Sequence, residues 1–185
     1  APLSGTGAQA RTRDLTVYAS GETAAIKQMM DVFKGFSRAQ FSVGEFGNGM
    51  KMKLVANLLV AIHNVSTAEA ILFGQQLGLQ AKAIVEVVAD GAGGSRMFQV
   101  RGPMMASRGW DDATMKIEVW QKDMSIIDDA LRALNLPSPL FAACIPIYRA
   151  ATRRARKGGF DGPHRPPTWR LQCMHGLIGI ENRHA

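Results

Sequence analysis

Along most of this chain the apolar residues recur at helical spacing, and only near its start do they cluster as in strands. Within residues 1 to about 44, Leu15-Thr16-Val17-Tyr18-Ala19 and Gln40-Phe41-Ser42-Val43 read as two short strands. Between them Glu22 to Phe33 sets Ile26, Met29, Met30 and Phe33 on one face of a helix, with Ser20 as the N-cap candidate ahead of it. This is a strand-helix-strand unit. So small a sheet buries little by itself, so the region is expected to be part of a larger α/β domain, with Leu15, Val17, Ile26 and Phe41 left exposed for want of partner strands.

Residues 46 to 151 are helical by period. A long helix is predicted from about Gly49 to Leu77, then one over Gln80 to Ala89 that ends at Gly91-Ala92-Gly93-Gly94. Ser95 to Ala106 follows, interrupted at Gly102-Pro103. Asp112 to Asn135 reads as a long amphipathic helix stopped by Leu136-Pro137, and Leu140 to Ala151 as a last one after Pro139. From Thr152 to Ala185 the period is lost amid Gly158-Gly159, Gly162-Pro163 and Pro166-Pro167, and the segment is expected to be irregular.

Composition narrows the classes. A chain of 185 residues, 46% hydrophobic and 20% charged, suits one globular domain or two small ones with a real core. No run of eighteen apolar residues occurs, and Ala1-Pro2-Leu3-Ser4-Gly5 lacks the parts of a signal peptide, so no membrane partner is expected and the cytoplasm is the expected compartment. Cys144 and Cys173 show neither disulfide-framework nor zinc spacing, and His63 has no second ligand at helical distance, so no metal is assigned. Met29-Met30, Met50, Met52 and Met104-Met105 are expected to fill gaps in the core. The net charge of +7 sits mainly in residues 152–185, which hold seven basic and two acidic side chains, so nucleic acid is not an expected partner of the fold as a whole. A basic arm that grips nucleic acid or an anionic surface is the alternative reading of that tail.

The stretch with chemistry in it runs from Gly47 to Asn57. Gly49, Lys53 and Asn57 fall four residues apart and share a helix face, beside an apolar stripe of Leu54, Leu58, Ile62 and Val65. A lysine and an amide at that spacing are ordinarily a solvated face. Here Gly-x-Gly precedes a helix too apolar for the surface, so the bare glycine is expected to leave room beside an ammonium and a carboxamide for a proton-transfer site.

These residues also carry a resemblance. Ala1-Pro2-Leu3-Ser4-Gly5-Thr6, Gly47-Asn48-Gly49 with Lys53 and Asn57, Glu69-Ala70, and Lys122-Asp123 occur in the order and spacing of the β-hydroxyacid dehydrogenases, which include 3-hydroxyisobutyrate dehydrogenase and 2-hydroxy-3-oxopropionate reductase. The resemblance implies a mainly α fold: a C-terminal remnant of a Rossmann α/β domain (1–45), an all-helical 6-phosphogluconate-dehydrogenase-like domain (46–151), and a basic, irregular tail (152–185). It further implies NAD or NADP as cofactor, a small 3-hydroxy acid or semialdehyde as substrate, and a homo-oligomer, dimer or tetramer.

By the same resemblance Lys53 is the general acid/base. Its ammonium would protonate the carbonyl oxygen in reduction, or its amine take the hydroxyl proton in oxidation. A free lysine titrates near ~10.4, so the oxidative role requires burial or a neighbouring cation, for which Lys122 is the candidate. Asn57 falls on the substrate-orienting amide, and Lys122 on a lysine beside the cofactor and active site. Ser4, Gly5 and Thr6 fall where relatives have a Ser-Gly-Gly loop that binds the substrate carboxylate. Thr6 departs from the second glycine, so either the loop bends differently or the acid it admits differs.

Two features depart further. Relatives begin with a βαβαβ half bearing Gly-x-Gly-x-x-Gly, which is not found here, so the chain is expected to be a fragment that binds dinucleotide weakly. Its Arg- and Pro-rich end replaces an alanine-rich helix and reads as aberrant, as after a frameshift. A non-catalytic helical module that dimerises through the long helix is the alternative function.

Overall fold

The computed structural model describes residues 1–107 and 117–155, except the side chains of residues 117, 118 and 153–155. Two compact units are set off by their internal contacts, Ala1–Leu58 and Leu59–Ala185.

The first unit is built on a three-stranded sheet in the order β1-β2-β3: β1 (Leu3–Ser4), β2 (Thr16–Ala19) and β3 (Ala39–Ser42). β1 runs antiparallel to β2, with Leu3 opposite Val17 and Ser4 opposite Thr16, and β2 runs parallel to β3. The parallel pair needs a crossover, which α2 (Thr23–Phe36) supplies. Its cap is Glu22, without a side-chain hydrogen bond, and not Ser20, which stands two residues too early. Val17, Ala19 and Ile26 form the core, with Met30 and Phe33 packed against it. Leu15, Val17 and Ile26 are therefore buried, contrary to expectation, because α2 covers the sheet. Phe41 remains half exposed.

Two elements have no counterpart in the periodicity, the two-residue β1 and the single-turn α1 (Gly7–Arg11). Both are too short to show a period. α1 ends in a Schellman motif: the Asp14 N–H bonds the Gln9 carbonyl and the Arg13 N–H that of Ala10, with Arg13 at φ 58°.

α3 (Asn48–Gln76) begins in the first unit and continues into the second. It is long and apolar enough to cross a bilayer by length and composition alone, with a best window of mean hydropathy 1.4. Length and composition do not separate such a span from a core helix, and Ala61, Asn64, Val65, Thr67, Ala68 and Ile71 are buried by the protein itself.

In the second unit α4 (Ala81–Asp90) and α5 (Arg96–Ser107) pack with the end of α3 around Ala68, Ile71, Ile84, Val85, Phe98 and Met105. α5 runs through Gly102-Pro103 without the expected interruption. Ser95 starts it, its hydroxyl accepting from the Phe98 N–H at 3.0 Å, and burial of Phe98, Arg101, Gly102 and Met105 on both sides of the proline outweighs one lost hydrogen bond. α6 (Ile117–Ala133) and α7 (Pro139–Ala155) complete the unit. The Asp112 start expected for the long helix lies outside the described residues, as do Cys173 and residues 156–185; residues 152–155, expected to be irregular, are the last turn of α7. Met29, Met50 and Met52 are exposed and so do not fill the core, whereas Met30 and Met105 do.

Candidate active site

Ser4, Gly5, Thr6, Lys53 and Asn57 all belong to the first unit, and Lys122, on α6, to the second. The first turn of α3 lies directly against the sheet. A Cβ built on Gly49 would stand 2.4 Å from the Tyr18 carbonyl, 3.0 Å from Pro2 Cδ and 3.1 Å from Ser20 Oγ. The space beside Gly49 is therefore filled by protein and is not a vacancy for a ligand. What the glycine provides is contact of the helix with β2 and with Pro2 and Ser20 beside the strands, and Lys53 and Asn57, both half-buried, follow one and two turns further along that face.

The Ser4-Gly5-Thr6 turn joins β1 to α1. Gly5 has φ +134°, a conformation in which any other residue is strained, and a Cβ there would also crowd Leu15 Cδ2 at 2.5 Å. Thr6 lies in extended backbone, φ −99° and ψ 170°, so its branched side chain is unstrained. It is the N-cap of α1 in a capping box with Gln9. The Thr6 hydroxyl accepts from the Gln9 N–H at 3.4 Å, and the Thr6 N–H donates to Gln9 Oε1 at 2.9 Å. Gln9 Nε2 donates to Asp14 Oδ2 at 3.0 Å, and Asp14 Oδ1 accepts from Arg38 Nε at 2.8 Å. Gln9 was not among the candidate residues, although Thr6-x-x-Gln9 is a capping-box signature.

Gly5-Thr6-Gly7-Ala8-Gln9-Ala10 also spells Gly-x-Gly-x-x-Ala after a strand and at the opening of a helix, a string that the periodicity did not single out. Its surroundings do not fit a dinucleotide pyrophosphate: β1 is antiparallel to β2, and α1 has five residues.

The second unit holds a buried polar knot that sequence alone did not reveal. The Tyr148 hydroxyl, fully buried, donates to the Ala61 carbonyl at 3.2 Å, and Trp120 packs on its ring with centroids 6.0 Å apart. Asn64 and Arg101 are buried as well. Burial pushes the Tyr148 phenol well up and the Arg101 guanidinium down, and burial followed by the Glu69 carboxylate pushes the Cys144 thiol up to about 11. Among the described residues no group of three or more His, Cys, Asp or Glu side chains could hold a metal ion.

A small sheet followed by a helical array is the arrangement expected of the β-hydroxyacid dehydrogenase class. Residues 47–162 match the family model described as the NAD-binding part of NADP-dependent 3-hydroxyisobutyrate dehydrogenase, and the chain belongs to that family. It is 30% identical to the chloroplastic glyoxylate/succinic semialdehyde reductase 2 of Arabidopsis thaliana, over 82% of this chain and 42% of that one. It is also 30% identical to the L-threonate dehydrogenase of Cupriavidus necator, over 87% and 54%. Among solved structures, 3-hydroxyisobutyrate dehydrogenase from Salmonella typhimurium superposes with a TM-score of 0.72 at 25% identity, over 82% of this chain and 53% of that one. The chain thus spans about half the length of the relatives it matches. Its fold is the C-terminal part of a Rossmann-type domain followed by the family's helical domain, and the family's cofactor is a nicotinamide dinucleotide.

Proposed function

We propose that this chain carries the substrate-binding and proton-transfer part of an NAD(P)-dependent dehydrogenase of short 3-hydroxy acids. The observation that supports the reading best is the placement of Lys53 and Asn57 on the face of α3 whose first turn abuts β2 and Pro2, in the same unit as the Ser4-Gly5-Thr6 turn. When bound, the nicotinamide supplies or accepts the hydride. Lys53 Nζ donates a proton to the carbonyl oxygen in reduction, or takes it from the hydroxyl in oxidation, as hydride transfer changes the charge on that oxygen. Asn57 donates a hydrogen bond that fixes the same oxygen or the carboxylate, the Ser4-Gly5-Thr6 turn holds the carboxylate, and Lys122 is assigned to the cofactor by the resemblance alone.

The substrate is a small hydroxy acid of the kind named for the relatives, L-threonate among them. The test supplies this chain with the remaining half of a relative in trans and follows nicotinamide absorbance with L-threonate, L-serine and 3-hydroxyisobutyrate. Lys53→Ala should abolish turnover of whichever acid is oxidised, with Asn57→Ala acting mainly through KM. Undiminished turnover in Lys53→Ala would remove the lysine from the chemistry. Exposed Met50, Met52, Val55 and Leu59 on α3 support a homo-oligomer, and equally the alternative of a non-catalytic dimerising module, which predicts self-association without acid binding.

A further inference from the structure

The Ser4-Gly5-Thr6 turn already holds an oxygen atom, and it belongs to the protein. Gln9 Oε1 accepts from the Thr6 N–H at 2.9 Å and from the Thr6 hydroxyl at 3.3 Å, and it lies 3.5 Å from where a Cβ on Gly5 would be. The orientation of the amide is fixed, because Nε2 donates to Asp14, which Arg38 holds from its other oxygen. A flipped Gln9 would set an NH2 group against the Thr6 N–H and an oxygen against a carboxylate.

We propose that Gln9 is a specificity-determining residue whose side-chain oxygen competes with the substrate carboxylate for the Thr6 N–H and O–H. The inference rests on the reading of this turn as the carboxylate site. α1, one turn long, contributes no dipole of consequence, so the competition is for two particular donors. Gln9 offers them a neutral amide oxygen. A carboxylate makes charge-assisted hydrogen bonds roughly twice as strong and can displace it, whereas a carboxamide or ester offers no advantage over the acceptor already there. Gln9 therefore favours acids over their neutral analogues, and it does so by occupying the site before they arrive.

Calorimetric titration of the full chain with 3-hydroxypropionate and with 3-hydroxypropanamide tests this. Gln9→Ala should bind the amide roughly fivefold more tightly than wild type and shrink the acid-to-amide preference, since the freed donors no longer discriminate. Gln9→Glu sets a carboxylate against the incoming one and beside Asp14, and should weaken the acid about tenfold and the amide less, with circular dichroism as the check that the fold is kept. A residue that merely caps α1 predicts weaker or unchanged binding of both ligands in Gln9→Ala and an unchanged acid-to-amide ratio in Gln9→Glu, and that pattern overturns the proposal. If both Gln9 variants bind as wild type while Asn57→Ala loses the acid, Gln9 is irrelevant and the site stands. If the Gln9 pattern appears but Lys53→Ala and Asn57→Ala are silent, the turn binds acids and the dehydrogenase reading falls. Absence of acid binding in every variant overturns both.

Discussion

Substitution of Gly49 by alanine isolates the contact on which the placement of Lys53 depends. The added methyl would stand 2.4 Å from the Tyr18 carbonyl oxygen, where ordinary contact needs 3.4–4 Å, so α3 or β2 must move by about 1 Å. The obstacle is backbone, tied on the far side by the Tyr18 N–H to the Pro2 carbonyl at 3.1 Å, and it cannot turn aside as a side chain could. Overpacking of this kind costs about 1–3 kcal/mol, offset by up to ~1 kcal/mol because alanine is the better helix former. Gly35 in α2 provides the control, since a Cβ there meets nothing within 4 Å and only the propensity gain remains. Urea unfolding followed by circular dichroism should place Gly49→Ala about 1–2 kcal/mol below wild type and Gly35→Ala a few tenths of a kcal/mol above it. Because a shift of about 1 Å at a reacting group can lower turnover on the order of a hundredfold, Gly49→Ala should also lose acid turnover beyond its loss of stability. Equal stability of Gly49→Ala and wild type would refute the close approach of α3 to β2, and with it the geometry assigned to Lys53.

Two further substitutions test other parts of the chain. Arg13 occupies the left-handed position of the Schellman motif that ends α1, where an L side chain is strained by about 1–2 kcal/mol and glycine is not, so Arg13→Gly should raise the melting temperature by a degree or more after the entropic cost of glycine is subtracted. An unchanged or lower melting temperature in a calorimetric scan would contradict it. The Cys144 thiol is raised in the folded state from 9.0 to about 11, so the folded protein holds a proton that the unfolded chain releases first. Stability contributed by the neutral thiol is complete below about pH 9 and is lost as pH rises toward 11. The urea midpoint of wild type should therefore fall more steeply over that range than that of Cys144→Ala, and parallel profiles would exclude the effect.

How much of this architecture is legible in the sequence follows from how far each part depends on local pattern. β2, α2, β3 and α3 are visible there because each carries enough apolar positions to show its period, and their bounds differ by only a few residues. The continuity of α5 through Pro103 is not, because it is decided by Phe98, Arg101 and Met105 being buried, a tertiary fact that overrides a local penalty. The exposure of Met29, Met50 and Met52 is likewise hidden, since a methionine reads as core wherever it falls.

The site divides along the same line. Lys53 and Asn57 can be singled out because helical geometry alone converts a spacing of four into a shared face, and both residues lie within the unbroken α3. Thr6 can be recognised only as a departure from glycine, which leaves open a differently bent loop or a different acid. The backbone at Thr6 is ordinary, and what changes is the hydrogen bonding, because a threonine at the N-cap recruits Gln9 and closes the turn on itself. On the proposal for Gln9, substrate choice would be set less by the shape of the turn than by what the turn already holds. A loop with glycine in place of Thr6 would lose the hydroxyl half of that bond while keeping the N–H. Thr6→Gly should therefore loosen Gln9 without removing it, and in the same calorimetric titrations shift the acid-to-amide preference part of the way toward that of Gln9→Ala.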